Sequence, residues 1–534
     1  MSDKSAISSQ QSAISAMPIK LYNTMSRKLE DFRPLIPGQV GFYSCGPTVY
    51  WDQHLGNMRT FISNDIIKRM FAENGYKVTH VMNYTDVGHL VGDEDEDGGE
   101  GKEDQGKDKM LKAANRENKS VWEIAQKYID SVKSDMADLN LIPPTFTPRA
   151  TDYIAEQIDL IKKLQELGYA YVIPGKGVYY DTAKFADYGA LSGKDMSKQL
   201  AGFRISDDGK HSPADFVLWA FLPDDAKNEM IWDSPWGRGF PGWHIECSAM
   251  SMKLLGNHFD IHTAAQEHIN IHHTNEIAQS EPVVGKPWVS YWVHFGWLMG
   301  KDAKVSKSAG DTLTVPLLKR RGYDPMAFRY MALLSQYRSP LEFTWESLDA
   351  AAAGYKNIVR KVAGLLEPTN YSPLEGESQS ASIVSASRDA VGGQSARIPP
   401  TGAQKSAPTP PQGGSNYSHW HDRILGAVSD NLKTATALVY VQELLADESV
   451  DAATKISLFE FIDRLLGLQF IDRAQKLLAV ESAPVPAEIQ KLADDRNAAK
   501  AAKDWKKADE IRAQIDAAGY IIMDGKDGVK ITKK

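Results

Sequence analysis

Residues 39–86, QVGFYSCGPTVYWDQHLGNMRTFISNDIIKRMFAENGYKVTHVMNYTD, decide the fold class of this chain. A β-rich run meets a Gly-Pro turn, a helical pattern follows from about Gly56 to Asn74, and a second apolar strand comes after it. This order predicts a βαβ unit. In such a unit the turn after the first strand lies at the carboxyl edge of a parallel sheet, beside the amino end of the helix, where phosphates bind. Residues 54–57, HLGN, fall in that turn.

Length and composition indicate a large soluble protein. The chain has 534 residues, of which 42% are hydrophobic, and a chain of that length should hold about three or four domains. No run approaches the roughly 18 to 20 apolar residues of a membrane span. Residues 1–17 lack a signal-peptide pattern and predict a disordered tail on a cytoplasmic protein. The net charge of -8 argues against strong non-specific binding to nucleic acid, while specific RNA binding stays open.

A possible metal site comes from residues far apart in the sequence. In IHHTNEIAQSE, residues 271–281, His272 and Glu276 are four positions apart, so a helix would place them on one face, about 5 to 6 Å apart at Cβ. Cys45 and Cys247 are the only cysteines, too few for a disulfide scaffold. Two thiolates, an imidazole and a carboxylate would suit zinc. An ordinary polar pair and two inert core thiols are the alternative.

A second segment, which carries two lysines, is also suited to contact phosphate. GKDAKVSKSAGDT, residues 300–312, places Lys304 and Lys307 among small and hydroxyl residues in a loop flanked by glycine. A solvated surface loop is the alternative interpretation. HLGN resembles the HIGH signature, and KVSKS the KMSKS signature, of class I aminoacyl-tRNA synthetases.

The wider resemblance is to the cysteinyl-tRNA synthetase family. It is carried by YSCGPTVY, NYTD, GWHIECSAM and HHTNEIAQSE, and it extends from about Pro18 over nearly the whole chain apart from one interior insert. It implies an α/β fold: a Rossmann-like catalytic domain with a parallel sheet, then a helical bundle and a small anticodon-binding unit. The implied activity is ATP-dependent formation of cysteinyl adenylate and its transfer to the 3'-terminal adenosine of tRNA(Cys). The implied partners are ATP, L-cysteine and tRNA(Cys), with a monomer favoured over a dimer.

The resemblance also implies a metal site and a phosphate site. Cys45, Cys247, His272 and Glu276 match the positions that hold one zinc ion, and His273 is the less favoured histidine. Phosphate contacts are implied for the residues of the two signatures: His54, Lys304 and Lys307 at the α, β and γ phosphates, Asn57 as a weaker donor, and Gly56 in the ATP-binding turn. Mg²⁺ should accompany the ATP.

Contacts to the amino-acid substrate are implied for Gly46, Thr85, Trp243 and Glu267, the last standing where the family has an aspartate. Other positions also depart from the family pattern: Ala264 and Ala265 replace glycines, Asn57 replaces the second histidine of HIGH, and Val305 replaces the methionine of KMSKS. Alanine would cost about 1 kcal/mol or more where φ must be positive. Two alternative functions stay open: a cysteine ligase acting on a small amino-sugar, as relatives of the family do, and a non-catalytic paralog, which is motivated by Ala264 and Ala265.

The expected domain order begins with the tail and alternates catalytic and inserted segments. The expected bounds are a tail at 1–17, the first half of the catalytic domain at 18–110 with an acidic surface loop at 93–109, a connective insertion at 111–230, the second catalytic half with the zinc site at 231–300, the KMSKS-like loop and stem-contact region at 301–345, a helical bundle at 346–485 interrupted by a disordered linker at 367–417, and the anticodon-binding unit at 486–534.

The terminal unit carries cationic and stacking side chains suited to an unpaired anticodon. These are Arg496, Lys500, Lys503, Trp505, Lys506, Lys507 and Arg512. Acidic neighbours such as Asp504 and Asp509 leave an ordinary solvated helix as the alternative.

Overall fold

The computed structural model describes residues 17–86, 109–193, 209–222, 230–300, 312–367, 415–482, 484–525 and 528–533. Most of the predicted tail, the acidic loop up to residue 108, Lys304 and Lys307, and nearly all of the 367–417 linker lie outside these residues. The expectations about those segments stay predictions.

The strands fall into several sheets. In chain order they are β1 (Lys20–Asn23), β2 (Lys28–Asp31), β3 (Gln39–Ser44), β4 (Lys77–Met82), β5 (Ala170–Ile173), β6 (Gly177–Tyr180), β7 (Phe216–Phe221), β8 (Gly239–Pro241), β9 (Phe259–Ala265), β10 (Val289–Phe295), β11 (Leu298–Met299), β12 (Leu341–Glu342), β13 (Tyr520–Gly525) and β14 (Gly528–Lys533).

The α-helices alternate with the strands along the first part of the chain and dominate the last part. They are α1 (Leu55–Glu73), α2 (Lys109–Glu117), α3 (Val121–Asp138), α4 (Ile154–Glu166), α5 (Trp243–Leu255), α6 (His272–Val284), α7 (Val315–Arg320), α8 (Pro325–Leu333), α9 (Trp345–Leu366), α10 (Ser415–Ser429), α11 (Thr434–Ala446), α12 (Ala452–Leu466), α13 (Phe470–Glu481), α14 (Ala487–Ala501) and α15 (Trp505–Ala517). None of the helices in the described ranges is long and apolar enough to cross a bilayer.

A parallel sheet of order β10-β9-β3-β4 positions the site. Strand β3 pairs in parallel with both β4 and β9, and β9 pairs in parallel with β10. Helix α1 connects β3 to β4, and α6 lies between β9 and β10 in the sequence. The predicted βαβ unit is therefore confirmed, with its helix beginning and ending one residue earlier than expected.

Most residues of helix α1 are buried, including several polar ones. These buried polar side chains form hydrogen bonds to other segments of the chain. Arg59, which is 2% exposed, donates to the carbonyl oxygens of Gly296, Trp297 and Ser339 at 2.6 to 2.7 Å. Because a buried guanidinium needs acceptors for its N–H groups, these bonds fasten the helix to the loops that follow β10 and α8.

A buried ionic cluster ties α1 to α8. Asp65 accepts from Arg69 at 2.7 Å and from Arg329 at 2.5 Å, and Arg329 also donates to the carbonyls of Leu139 and Leu466. Burial alone would raise the pKa of Asp65, but the positive charges of Arg329 and Arg69 lower it below its ordinary value. The cluster is therefore a paired, hydrogen-bonded network of the kind that a low-dielectric interior can hold.

A second sheet lies between the two βαβ units in the sequence. It is antiparallel, has the order β5-β6-β7-β8, and follows helices α2, α3 and α4. It begins inside the predicted connective insertion and extends past residue 230 to Pro241.

The chain divides into two compact units, and the helical region contributes to both. Segments 420–443 and 461–468 belong to the unit that contains residues up to 355, while 444–460 and 469–534 belong to the other. The apolar run that starts at Ile424 is broken between α10 and α11, where Asn431 and Leu432 have φ angles of 60° and 53°. The sequence pattern predicted helices here but not this break.

The predicted anticodon-binding unit at 486–534 has its own small core. Its buried members are Ile489, Ala493, Ile511, Ile515 and Ile522, from α14, α15 and β13. Arg496 is 6% exposed and forms two 2.9 Å bonds to Asp524, so the expectation that it faces RNA is wrong. Trp505, in contrast, is 60% exposed and is available for stacking.

Candidate metal centre and active site

The site forms where the parallel strands end. Cys45 follows β3, and residues 83 to 86 follow β4. The backbones of these two segments approach so closely that a Cβ on Gly46 would lie 1.6 Å from the carbonyl oxygen of Asn83. Gly46 N–H also donates to Asn83 Oδ1 at 2.9 Å. Glycine is required at this position because no side chain fits.

The structure brings the four predicted metal ligands together. Ligand atoms of Cys45, Cys247, His272 and Glu276 all lie within 4.8 Å of one another, and none of the four residues is more than 8% exposed. His272 Nε2 and Glu276 Oε1 form a buried ion pair at 3.0 Å, but the geometry of this contact is not that of a hydrogen bond. Buried polar atoms are costly when their hydrogen bonds are not made. A cation bound by these two atoms and by the two thiols would satisfy them, so these residues fit a metal ion.

A second set of ligands overlaps the first. Cys45, His262, His273 and Glu276 also have ligand atoms within 4.8 Å of one another. Cys45 Sγ lies 3.3 Å from His273 Nε2, and His262 Nε2 lies 3.0 Å from Glu276 Oε2. The two oxygens of Glu276 therefore face two different histidines, His272 and His262. Sequence reasoning missed His262, whose signal was a lone histidine inside the strand FDIHTAA.

The electrostatics favour a cation bound by thiolates. Burial alone would raise the pKa of Glu276, but His262 and His272 lower it to about 2. A hydrogen bond with Cys45 lowers the pKa of the Cys247 thiol against the effect of burial. Burial would lower the pKa of His272, but the charges of Glu276 and Cys247 raise it well above its ordinary value. A metal ion would take the place of that proton, so metal binding should release protons.

Outer contacts orient the ligands. His244 Nδ1 lies 2.9 Å from His272 Nδ1, and the Trp243 ring packs on His272 with centroids 4.5 Å apart. His273 Nδ1 lies 2.9 Å from His294 Nε2. Burial and the neighbouring histidines lower the pKa of His273 well below its ordinary value, which keeps this ring neutral. Partners of this kind fix the tautomer and direction of a ligating histidine.

The HLGN turn forms the amino end of α1. His54 is the N-cap, and its Nδ1 accepts from Asn57 N–H at 3.2 Å. In the neutral ring the proton is therefore on Nε2, which makes Nε2 the donor. A Cβ on Gly56 would lie 2.8 Å from the His54 ring, so the glycine lets the ring fold over the first turn. The Asn57 side chain donates to Gln53 at 2.5 Å.

Residues on both sides of the KVSKS segment lie at this same helix end. Leu55 N–H donates to the carbonyl of Leu313 at 2.7 Å, and His54 forms a bridge with Thr314. On the other side, Leu298 Cβ is 3.7 Å from where a Cβ on Gly56 would lie. Lys304 and Lys307 themselves lie outside the described residues.

The predicted substrate contacts are only partly accessible. Gly46, Trp243 and Glu267 are partly exposed, whereas Thr85 is 1% exposed. Thr85 Oγ1 donates to Glu246 Oε2 at 3.3 Å and accepts from Asn83 Nδ2 at 3.2 Å. Asn83 and Glu246 were not singled out from the sequence, although both lie in motifs that carry the family resemblance.

Two alanines do not strain the backbone. Ala265 has φ of -69° and ψ of 159°, an ordinary extended conformation, and Ala264 is a buried residue of β9 with no positive φ. The energetic cost expected for alanine at a positive φ therefore does not arise at either position.

Comparisons with known proteins agree with this geometry. Residues 31–99 and 104–353 match the family described as tRNA synthetases class I (C) catalytic domain, and residues 483–531 match the Cysteinyl-tRNA ligase anticodon binding domain. A leucyl-tRNA synthetase of Agrobacterium radiobacter K84, solved in a ternary complex with tRNA and LeuAMS, is similar with a TM-score of 0.54 at 12% identity, covering 85% of this chain and 86% of that one. This likeness supports the fold alone.

Two relatives match over almost the full length. Cysteine–tRNA ligase 1 of Burkholderia lata is 40% identical over 516 residues, which cover 96% of this chain and 97% of that protein. Cysteine–tRNA ligase of Treponema denticola is 38% identical over 514 residues, covering 95% and 98%. By the matched domains and by these identities, the chain belongs to the cysteinyl-tRNA ligase family of class I aminoacyl-tRNA synthetases.

Proposed function

We propose that this chain activates L-cysteine with ATP to form cysteinyl adenylate and transfers the cysteinyl group to the 3'-terminal adenosine of tRNA(Cys). The observation that carries the proposal is the buried cluster of two thiols, one imidazole and one carboxylate at the carboxyl edge of the sheet. The HLGN turn follows the same strand, β3, as Cys45. The substrate thiol would be recognised at the cluster, and ATP would bind at the turn.

Zinc is the metal that best suits this donor set, with Cys45, Cys247, His272 and Glu276 holding it. When bound, zinc favours a thiolate ligand over a neutral hydroxyl. A pocket that works by shape alone separates substrates that differ by one small group by only about 10 to 200 fold. Direct recognition of the thiol would therefore give cysteine its advantage over serine without an editing step.

The chain's own residues support phosphate chemistry at the helix end. His54 presents Nε2–H as a donor because its Nδ1 is engaged by the backbone of Asn57. Lys304 and Lys307 would reach the phosphates from the segment whose flanking residues contact this turn. Donors aimed at the charge that develops on the phosphoryl oxygens lower the barrier, with Mg²⁺ accompanying ATP.

Two observations disfavour the other candidate functions. A ligase for a small amino-sugar has no use for a tRNA-reading unit, whereas residues 483–531 match an anticodon-binding domain. A non-catalytic paralog was motivated by Ala264 and Ala265, and the backbone at neither position is strained.

The direct test is the activity of the purified full chain. Cysteine should support ATP–pyrophosphate exchange, and tRNA(Cys) should accept the cysteine. Selectivity over serine, measured as the ratio of kcat/KM values in the exchange reaction, should exceed the roughly 200 fold that shape alone provides. Exchange with cysteine but transfer only to an amino-sugar would contradict the tRNA assignment. Absence of exchange would contradict the enzymatic one.

Zinc content can separate the two overlapping ligand sets. Cys247→Ala should reduce bound zinc from about one ion per chain to almost none, because Cys247 belongs only to the favoured set. His262→Gln should keep the ion at saturating zinc while weakening affinity by about 10 to 100 fold, the usual effect of losing an outer partner. Elemental analysis after dialysis measures both.

The matched control for this zinc measurement is His211→Ala. His211 lies in a separate group with Asp181 and Asp215, so this change should leave the zinc content at about one. Full zinc retention by Cys247→Ala together with loss in His262→Gln would assign the metal to the other set.

Lys307 should act on the transition state of adenylate formation. Lys307→Ala should lower the single-turnover rate of that step by about 100 to 1,000 fold, the scale for one electrostatic donor, with far less effect on ATP affinity. Lys301→Ala, in the same segment but outside the KVSKS signature, is the control and should change the rate little. A raised Michaelis constant for ATP with an unchanged rate at saturation would instead indicate uniform binding.

A further inference from the structure

A tryptophan and an arginine form a partly exposed pair beside the HLGN turn. Trp51 lies three residues before His54, in the segment between β3 and α1, and is partly exposed. Arg116 belongs to the last turn of α2, and its side chain is 41% exposed. The guanidinium carbon of Arg116 lies 4.0 Å from the centre of the Trp51 ring. Neither residue takes part in the proposed zinc or phosphate chemistry.

Neighbouring side chains hold the guanidinium of Arg116. Its Nη2 donates to Glu117 Oε1 and to Tyr128 Oη, at 3.3 Å in each case, and Glu117 also accepts from Lys127 at 2.6 Å. The positive charges here are therefore already paired with a carboxylate, which makes this a poor place for a phosphate. The pair instead offers an aromatic ring with a guanidinium against it. Unpaired bases stack on side chains of these two kinds.

The position of Trp51 matches the reach of an RNA end that reacts near the HLGN turn. Three residues of chain span at most about 11 Å, so the backbones of Trp51 and His54 lie within that distance. Successive nucleotides in a stacked strand are about 3.4 Å apart. When the 3'-terminal adenosine is at the proposed site of transfer, the unpaired nucleotides just before it are within reach of the Trp51 ring.

The accessible side of this segment begins beside the metal cluster. Gly46, Thr48, Tyr50 and Trp51 are all partly exposed, although Cys45 is buried. Accessible residues therefore recur from the position after a predicted metal ligand as far as the ring of Trp51. This surface provides a route along which an unpaired strand can lie.

We propose that Trp51 stacks with an unpaired base of the 3' end of tRNA and thereby positions the terminal adenosine for transfer. This inference rests on the proposed function, because it takes tRNA(Cys) as the partner. Trp51 contacts the RNA. Arg116 is a positioning residue that acts through Trp51, by holding the orientation of its ring. The contact is to the face of a base and not to a phosphate.

The test compares intact tRNA(Cys) with the same tRNA lacking its unpaired CCA end. The wild-type chain should bind the intact tRNA more tightly, and Trp51→Ala should reduce this advantage by about 5 fold or more, the effect of one base stacked on an aromatic ring. Trp51→Phe keeps a ring and should retain most of the advantage. Filter binding with the full zinc-loaded chain measures these affinities.

The matched control is Trp122→Ala, which removes a 41% exposed tryptophan from α3. It should leave the advantage of the intact tRNA unchanged. If Trp51→Ala does not fold, Arg116→Gln is the second variant. It removes the cation beside the ring and should reduce the advantage by about 2 to 5 fold.

Salt dependence separates stacking from charge. Because phosphate contacts release counterions, whereas stacking does not, Trp51→Ala should leave the slope of log affinity against log salt unchanged. Equal weakening of both tRNAs would mean that the pair only holds α2 in place, and would overturn the proposal. An altered slope, or an unchanged advantage in Trp51→Ala, would overturn it as well. Failure of the wild-type chain to bind either tRNA would instead count against the proposed function itself.

Discussion

The site depends on a buried cluster of ligand atoms that pair with one another only in part. His272 Nε2 and Glu276 Oε1 form an ion pair at 3.0 Å without hydrogen-bond geometry, and the sulfur atoms of two cysteines lie within 4.8 Å of them. Buried charged groups are costly unless they are paired or bind a metal ion. The approach of the chain after β3 to the chain after β4 at Gly46, where no side chain fits, places Cys45 beside this cluster.

The same architecture would let the two proposed chemistries share one site. The carboxyl edge of a parallel sheet presents the ends of several strands together, so neighbouring segments would supply the proposed thiol recognition and phosphate binding. The buried pairing of Arg329 with Asp65 connects α1 to α8, and the bonds from Arg59 hold the loop after β10 to the same helix. The helix end that carries His54 is therefore held by contacts that are themselves buried and paired.

Sequence patterns predicted the parts of the fold that are encoded locally. The βαβ unit was clear because strand, turn and helix signals follow one another in residues 39–86. His262 was missed because its contact with Glu276 comes from two elements meeting in space. The burial of Arg496 depends on Asp524, 28 positions later, and the break at Asn431 and Leu432 depends on backbone angles that apolar spacing does not reveal. The four predicted metal ligands were assigned by resemblance, since spacing alone left an ordinary polar pair and two inert core thiols as the alternative.

The most direct test of the central claim, that the thiol of the substrate is recognised at the metal, is zinc K-edge X-ray absorption on the loaded chain. Without substrate, the spectrum should fit two sulfur ligands at about 2.3 Å and two nitrogen or oxygen ligands at about 2.0 to 2.2 Å. Adding cysteine should raise the sulfur count to three, and adding serine should leave it unchanged. A first shell without sulfur, or a sulfur count that does not respond to cysteine, would contradict this account.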